Sequence, residues 1–251
     1  MRIPSATYRL QFTPDFGFSQ AKGIVGYLAQ LGITDIYASP VFAARSGSQH
    51  GYDVVDQNRL NPELGTTEDY EALIAEAHEH GLGWVQDIVP NHMAFSPQNL
   101  YLMDVLEHGP SSAYSDTFDI DWASAHDALN GKVLAPMLGS DYLQCLEGGE
   151  LQLSYAADGL AVNYYSLRLP IRLESYADFF DYRNERLGSK QAELSELMSV
   201  IEKDVLVLSG EARSQKSKKI KQQLWELTES TDEISLFIEE NLAVFNGEAA
   251  S

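Results

Sequence analysis

The chain is 251 residues long and 44% of its side chains are hydrophobic, enough apolar material to bury a core, so a disordered chain or a disulfide-stapled miniature is excluded. Its 17 basic and 37 acidic residues leave a formal charge of −20, a surface that repels phosphate backbones and anionic lipid and argues against nucleic-acid or membrane partners. The single cysteine, Cys145, cannot form an internal disulfide, no stretch is long and apolar enough for a membrane span, and the first ten residues lack the apolar run of a secretory signal. A cytoplasmic globular protein is expected.

The first ninety residues alternate strand and helix signals. Thr7 to Phe12 alternates apolar and polar side chains as a half-buried strand does. Ser19 stands at an N-cap position, Ile24, Val25, Leu28 and Leu31 follow at helical spacing, and Gly32 closes the helix. Ile33 to Ala38 reads as a second strand. The stretch from Ala43 to Gly65 is polar and glycine-bearing, and reads as a long functional loop. Thr66 with Asp69 resembles a capping box, and Tyr70, Leu73, Ile74 and Ala77 make one apolar stripe. His78 and His80 lie in the last turn; at i and i+2 they point to different faces, so they suit the helix C-terminus better than a metal. Trp84 to Val89 is a third strand. This β-α-β-α-β order implies a parallel sheet covered by helices.

From Met93 to about Arg186 the text is irregular, aromatic and turn-rich, with short apolar runs at Lys132 to Leu138, Glu150 to Leu153 and Leu160 to Leu167 that predict a small insertion with a few strands. From Ser189 onward it is helical. Leu194, Leu197, Met198, Ile201, Val205 and Leu208 form one stripe, Ile220, Leu224 and Leu227 another, and Ile234, Phe237, Ile238, Leu242 and Phe245 a third. Arg213, Lys216, Lys218, Lys219 and Lys221 read as a solvated helix start or mobile loop.

Two clusters carry chemistry. Asp87-Ile88-Val89-Pro90-Asn91-His92 puts a carboxylate at the C-terminal end of a parallel strand, with an Asn and a His in the loop beyond, where α/β barrels place their sites. A carboxylate in an apolar strand is costly unless paired, so Asp87 needs a partner. His50-Gly51-Tyr52-Asp53-Val54 lies in the long loop after the second strand; Gly51 permits a backbone angle that presents the Tyr52 ring to a cleft. Phosphate-binding loops, serine-nucleophile elbows and the H-E-x-x-H zinc motif are absent from the sequence.

These two motifs, D-I-V-P-N-H and H-G-Y-D-V, resemble those of the α-amylase family of retaining glycosidases and transglycosidases. N-P-E-L-G (61–65), D-V-L-E-H-G-P-S-S-A-Y (104–114), F-D-I-D-W (118–122) and G-K-V-L-A-P-M-L-G (131–139) resemble the trehalose-forming branch of that family, and the likeness covers residues 1 to about 180. The resemblance implies a (β/α)8 TIM barrel. The length fits a whole barrel, roughly 250 residues, yet three strands are spent by His92. The expected architecture is therefore the front part of the barrel (strands 1–3, residues 1–93), a small β-containing insertion after strand 3 (94–186) and a helical extension (187–251).

The resemblance also implies roles. Tyr52 would stack on the glucose ring at the cleavage subsite, His92 would hydrogen-bond its hydroxyls, Asp87 would organise the hydrogen bonds around the nucleophile, and His50 and Asp53 would support the tyrosine loop. Asn91 occupies a position that ligates calcium in calcium-dependent relatives; nothing else completes an oxygen cage, so no metal and no organic cofactor are expected. The branch's reaction would turn the reducing-end α-1,4 linkage of a maltooligosaccharide into an α,α-1,1 linkage through a glycosyl-enzyme. The family's nucleophile, in an R-x-D context on strand four, and its acid after strand five have no counterpart in this sequence. The chain therefore reads as an N-terminal part with no catalytic residue of its own, inactive alone, whose partners are an α-1,4-glucan and the remaining part of the enzyme. The alternatives are another hydrolase or glucanotransferase of the family, a non-catalytic glucan-binding remnant, or half of a split enzyme. An open half-barrel with unpaired strand edges is also expected to be marginally stable or to self-associate.

Overall fold

The structure is a computed structural model that describes residues 3–247. The chain divides into two compact units, Met1–Leu100 and Tyr101–Ser251.

The first unit begins with β1 (Thr7–Leu10), followed by the helices α1 (Phe18–Lys22) and α2 (Val25–Gln30) and by β2 (Asp35–Ala38). The expected single helix is thus two, interrupted at Gly23 and Ile24. Its cap also differs from expectation. Gly17 holds the N-cap position, its N–H donating to Gln20 Oε1 at 3.1 Å, while Ser19 lies inside the helix and donates its hydroxyl to Asp69 Oδ1 at 3.1 Å. Gly32 ends the second helix at φ +85°, the left-handed conformation expected there.

The stretch read as one long loop contains a hairpin, β3 (Phe42–Ala44) and β4 (Val54–Leu60), paired antiparallel with a shifted register. β4 buries Val54 and Val55 but exposes Gln57, Asn58 and Arg59, so its sequence lacks a sustained apolar period. α3 (Thr67–Glu79) has the predicted capping box: Asp69 N–H donates to Thr66 Oγ1 at 3.1 Å and Thr66 N–H to Asp69 Oδ2 at 3.0 Å. β5 (Gly83–Gln86) completes a parallel sheet of order β1-β2-β5, in which Arg9 aligns with Tyr37 and Tyr37 with Val85.

Side chains alternate across a sheet. Leu10, Phe12, Ile36 and Ala38 go into one buried cluster with Phe18, Ala21, Val25, Leu28, Leu73 and Ala77 from the helices. Arg9, Tyr37 and Val85 have the opposite parity and so belong to the other face of the sheet.

In the second unit, α4 (Leu100–His108) leads into a short 3-10 turn at Gly109–Ser111. The predicted strand at Lys132 to Leu138 does not form; Pro136 cannot donate to a ladder. α5 (Tyr142–Glu147) is capped by Asp141, which accepts from Leu143 N–H at 3.0 Å. β6 (Leu151–Ala156), β7 (Gly159–Tyr164) and β8 (Leu167–Pro170) form an antiparallel meander. Then come α6 (Tyr176–Phe180), α7 (Gln191–Val200) running into a π turn at Ile201–Val205, α8 (Gly210–Ser230) and α9 (Asp232–Phe245).

Members of all three predicted apolar stripes meet in one core: Leu194 and Met198, Ile220 and Leu224, Phe237 and Ile238, with Leu160 of β7 and Phe180 of α6. The basic cluster departs from expectation. Lys218 and Lys219 are exposed, but Arg213 and Lys221 are buried on α8, each paired to a carboxylate.

Candidate functional site

β1, β2 and the end of β5 bring three side chains together on the sheet face opposite the helices. Asp87 follows β5 immediately, and its N–H still donates to Ala38 O at 2.9 Å, so the ladder fixes where the carboxylate starts. Gln86 braces the same turn, donating to Ser39 O at 3.1 Å and to Asp87 O at 2.9 Å. Asp87 Oδ2 accepts from Arg9 Nη1 at 2.7 Å and from the Tyr52 hydroxyl at 2.6 Å, while Arg9 Nη2 donates to the Tyr52 oxygen at 2.7 Å. The three polar groups close a triangle. The Arg9 guanidinium also lies over the Tyr37 ring, 4.4 Å from its centre.

The triangle sets the local electrostatics. The Tyr52 hydrogen bond, joined by Arg9, holds the Asp87 carboxyl below the ordinary carboxylate range against the opposing effect of partial burial. The same hydrogen bond to Asp87 pushes the Tyr52 phenol up, so Tyr52 stays a neutral donor. Asp87 is a fixed anion with its Oδ2 saturated, which suits it to orient neighbours.

The Tyr52 loop is built to hold that ring. Gly51 has φ +74°, and a Cβ there would lie 2.7 Å from Pro40 O, so only glycine fits without displacement. Gly51 N–H donates to Ser48 Oγ at 3.1 Å, and Ser48 in turn donates to Asp53. Asp53 also faces Arg45 at 3.4 Å and His50 at 3.9 Å. His50 Nδ1 accepts from Tyr52 N–H at 3.0 Å, and the two rings stack at 5.9 Å with 28° between planes. Asn91 and His92 are exposed beyond Asp87, with Asn91 Nδ2 and His92 Nδ1 3.3 Å apart.

The structure therefore joins Tyr52 to Asp87 directly, sets His50 against the tyrosine and Asp53 against His50, Ser48 and Arg45 in the same loop, while His92 makes none of the triangle's hydrogen bonds. Sequence reading missed Arg9 and Tyr37. Their signal was parity: an arginine and a tyrosine at positions whose strand neighbours are the apolar core residues. Among the described residues no three His, Cys, Asp or Glu side chains are grouped to hold a metal ion.

Known proteins resemble parts of this chain. Residues 20–142 match the alpha amylase catalytic domain. A maltooligosyl trehalose synthase of Mycobacterium tuberculosis is 41% identical over 143 residues, which cover 54% of this chain and 18% of that protein. The solved maltooligosyltrehalose synthase of Arthrobacter ramosus is 40% identical and superposes with a TM-score of 0.58 over 67% of this chain and 21% of its own. A cyclomaltodextrinase of Geobacillus thermopakistaniensis is 41% identical over 96 residues, 38% of this chain and 15% of that enzyme. The chain thus spans about a fifth of the length of the synthases it matches. No helix among the described residues is long and apolar enough to cross a membrane. Residues 20–142 thus carry the likeness to the alpha-amylase catalytic domain, and together with the solved synthases they imply a TIM-barrel-type fold.

Proposed function

We propose that the chain is the substrate-positioning front part of a maltooligosyl trehalose synthase. It supplies strands 1–3 of the catalytic barrel (1–93), the insertion after strand 3 (94–186) and a helical extension (187–251). The substrate is a maltooligosaccharide in the cytoplasm. Tyr52 stacks on the glucose ring at the cleavage subsite, His92 hydrogen-bonds its hydroxyls, and Asp87 organises the hydrogen bonds around the nucleophile, with His50 and Asp53 holding the tyrosine loop.

The observation that carries this reading is the Arg9–Tyr52–Asp87 triangle on the sheet face away from the helices. It fixes an aromatic ring by its hydroxyl beside a permanent anion, the pairing that suits a sugar's C–H face and its hydroxyls. Arg9 joins the set as a positioning residue, since it fixes both partners.

The reaction is an isomerisation. A carboxylate nucleophile takes the maltooligosyl unit while an acid protonates the departing glucose oxygen; the anomeric hydroxyl of that glucose then attacks the glycosyl-enzyme and returns its proton to the same acid–base. Residues 1–251 carry neither carboxyl of that pair, so this chain's share is binding and orientation, and further polypeptide supplies nucleophile and acid.

Calorimetry of the 251-residue chain with maltopentaose tests the reading. Binding that Tyr52→Ala abolishes supports it; equal binding by wild type and variant overturns the tyrosine's role. Loss of reducing ends above the blank with the chain alone would overturn the division of labour.

A further inference from the structure

The D-V-L-E-H-G block has a structural partner far along the chain. All three of its ionisable side chains enter a charge cluster with α8 and the turn before α6, buried at His108, Glu107, Arg213 and Lys221 and open at Arg172 and Glu174. Lys221 Nζ lies 2.8 Å and 2.9 Å from the two carboxylate oxygens of Glu107. Arg213, 1% exposed, donates from Nη2 to Glu174 Oε1 at 2.7 Å and from Nη1 to Leu206 O at 3.3 Å. Its third nitrogen, Nε, donates to His108 Nδ1 at 3.4 Å. Arg172 adds a second cation to Glu174 at 3.0 Å. Asp104 accepts from Ser112 and stands 3.9 Å from His108 Nε2.

An arginine never gives up its proton, so the hydrogen on Arg213 Nε requires a lone pair on His108 Nδ1. His108 is therefore neutral, with its proton on Nε2 toward Asp104. The charges agree. Asp104, Glu107 and Glu174 balance Arg172, Arg213 and Lys221, and the cluster is electroneutral only while His108 carries no charge. A proton on His108 would add an unbalanced cation at a ring that is 2% exposed, set against Arg213. Glu107 and Asp104 are the carboxylates that would welcome that proton, and they are already engaged by Lys221 and Ser112 respectively. Burial, assisted by Arg213 and Lys221, keeps the ring's affinity for a proton below that of an ordinary histidine. The other five histidines are all exposed.

We propose that His108 is a pH-sensitive latch, a neutral imidazole whose Nδ1 accepts from Arg213 and fastens α4 to α8 at neutral pH, and which lets them part when protonated in mild acid.

Hydrogen exchange of the α8 amides in the full 251-residue chain, corrected for intrinsic rates, tests this at pH 7.5 and 5.5. An unfolded-state histidine titrating near about 6.5 makes the opening equilibrium roughly tenfold larger at the lower pH. His108→Gln keeps a neutral acceptor for Arg213 and is expected to remove most of that factor while leaving protection at pH 7.5 close to wild type. An unchanged opening equilibrium in the wild type, or a full tenfold factor in the variant, overturns the latch. Should the variant not fold, the nitrogen shifts of the His108 ring in the folded wild type decide: a midpoint below the ordinary histidine value supports the latch, and one at or above it overturns it.

Discussion

The Tyr52 hydroxyl donates to Asp87 Oδ2 at 2.6 Å across 35 residues of sequence, and Arg9 donates to both. Two motifs that look independent in the sequence are thus one unit, closed by a side chain from the first strand. The unit places an aromatic ring and a carboxylate in fixed relation through protein hydrogen bonds.

Replacing Tyr52 by Phe keeps the ring and removes the donor. Asp87 then loses its strongest stabilising hydrogen bond and its carboxyl rises toward the ordinary range; stability at neutral pH falls by about 1 kcal/mol. The sign with pH follows from the depressed value in the fold. Asp87 contributes stability above its unfolded value of about 3.9, and this is lost as pH falls through the lower folded value. Tyr52→Phe should therefore have a shallower acid limb than wild type. Carboxyl carbon shifts and urea midpoints across that range check both statements.

Gly51→Ala tests the loop geometry. At φ +74° an alanine is strained, and its Cβ would meet Pro40 O at 2.7 Å, backbone that cannot rotate away. A loss of at least about 1 kcal/mol is expected, together with weaker maltopentaose binding because Tyr52 is the next residue. An alanine variant with wild-type stability and affinity would show that the loop's shape does not set the ring.

The sheet, the second helix of the sequence reading with its capping box, and the apolar stripes of the C-terminal helices were legible because each rests on a local rule: alternation, a cap pair, or a 3.6-residue period. Tyr52 and Asp87 were legible through motif resemblance, but their bond was not, since nothing local links residues 35 apart. Arg9 was hidden for a physical reason. A strand's polar parity normally means solvent, and only the pairing register of β1 with β2 shows what lies beside it. The hairpin at β3 and β4 was masked by the exposed run Gln57, Asn58 and Arg59. Arg213 and Lys221 were misread as solvated because charge density along a helix says nothing of the carboxylates that tertiary packing delivers.

Gly159→Ala probes the second unit. Gly159 has φ +101°, and a Cβ there would run into the Tyr176 hydroxyl and lie 2.7 Å from Lys221 Cδ. That hydroxyl accepts from Leu160 N–H at 2.9 Å inside the core, so it cannot simply swing out. Unfolding of the second unit at a markedly lower urea concentration is expected, with little change in the unit that holds Tyr52. Trp122 and Trp225 fluorescence, in a chain whose Trp84 is replaced by Phe, follows the affected unit.

The Glu107–Lys221 pair separates the cost of breaking a buried ion pair from its net worth. Both side chains are nearly enclosed, 12% and 10% exposed, so neither can be rescued by water when its partner leaves. Lys221→Met strands the Glu107 carboxylate, and a loss of about 3 kcal/mol is expected. Glu107→Gln strands the ammonium and costs a similar amount. The double variant has no orphaned charge: methionine fills the lysine's stem volume, and glutamine keeps hydrogen-bonding capacity at the carboxylate's place. Its loss should be smaller than that of either single variant, giving a coupling energy of opposite sign to the single losses. Urea midpoints for the four chains at pH 7.5 measure the cycle. Simple additivity would mean that the two charges do not hold α4 to α8.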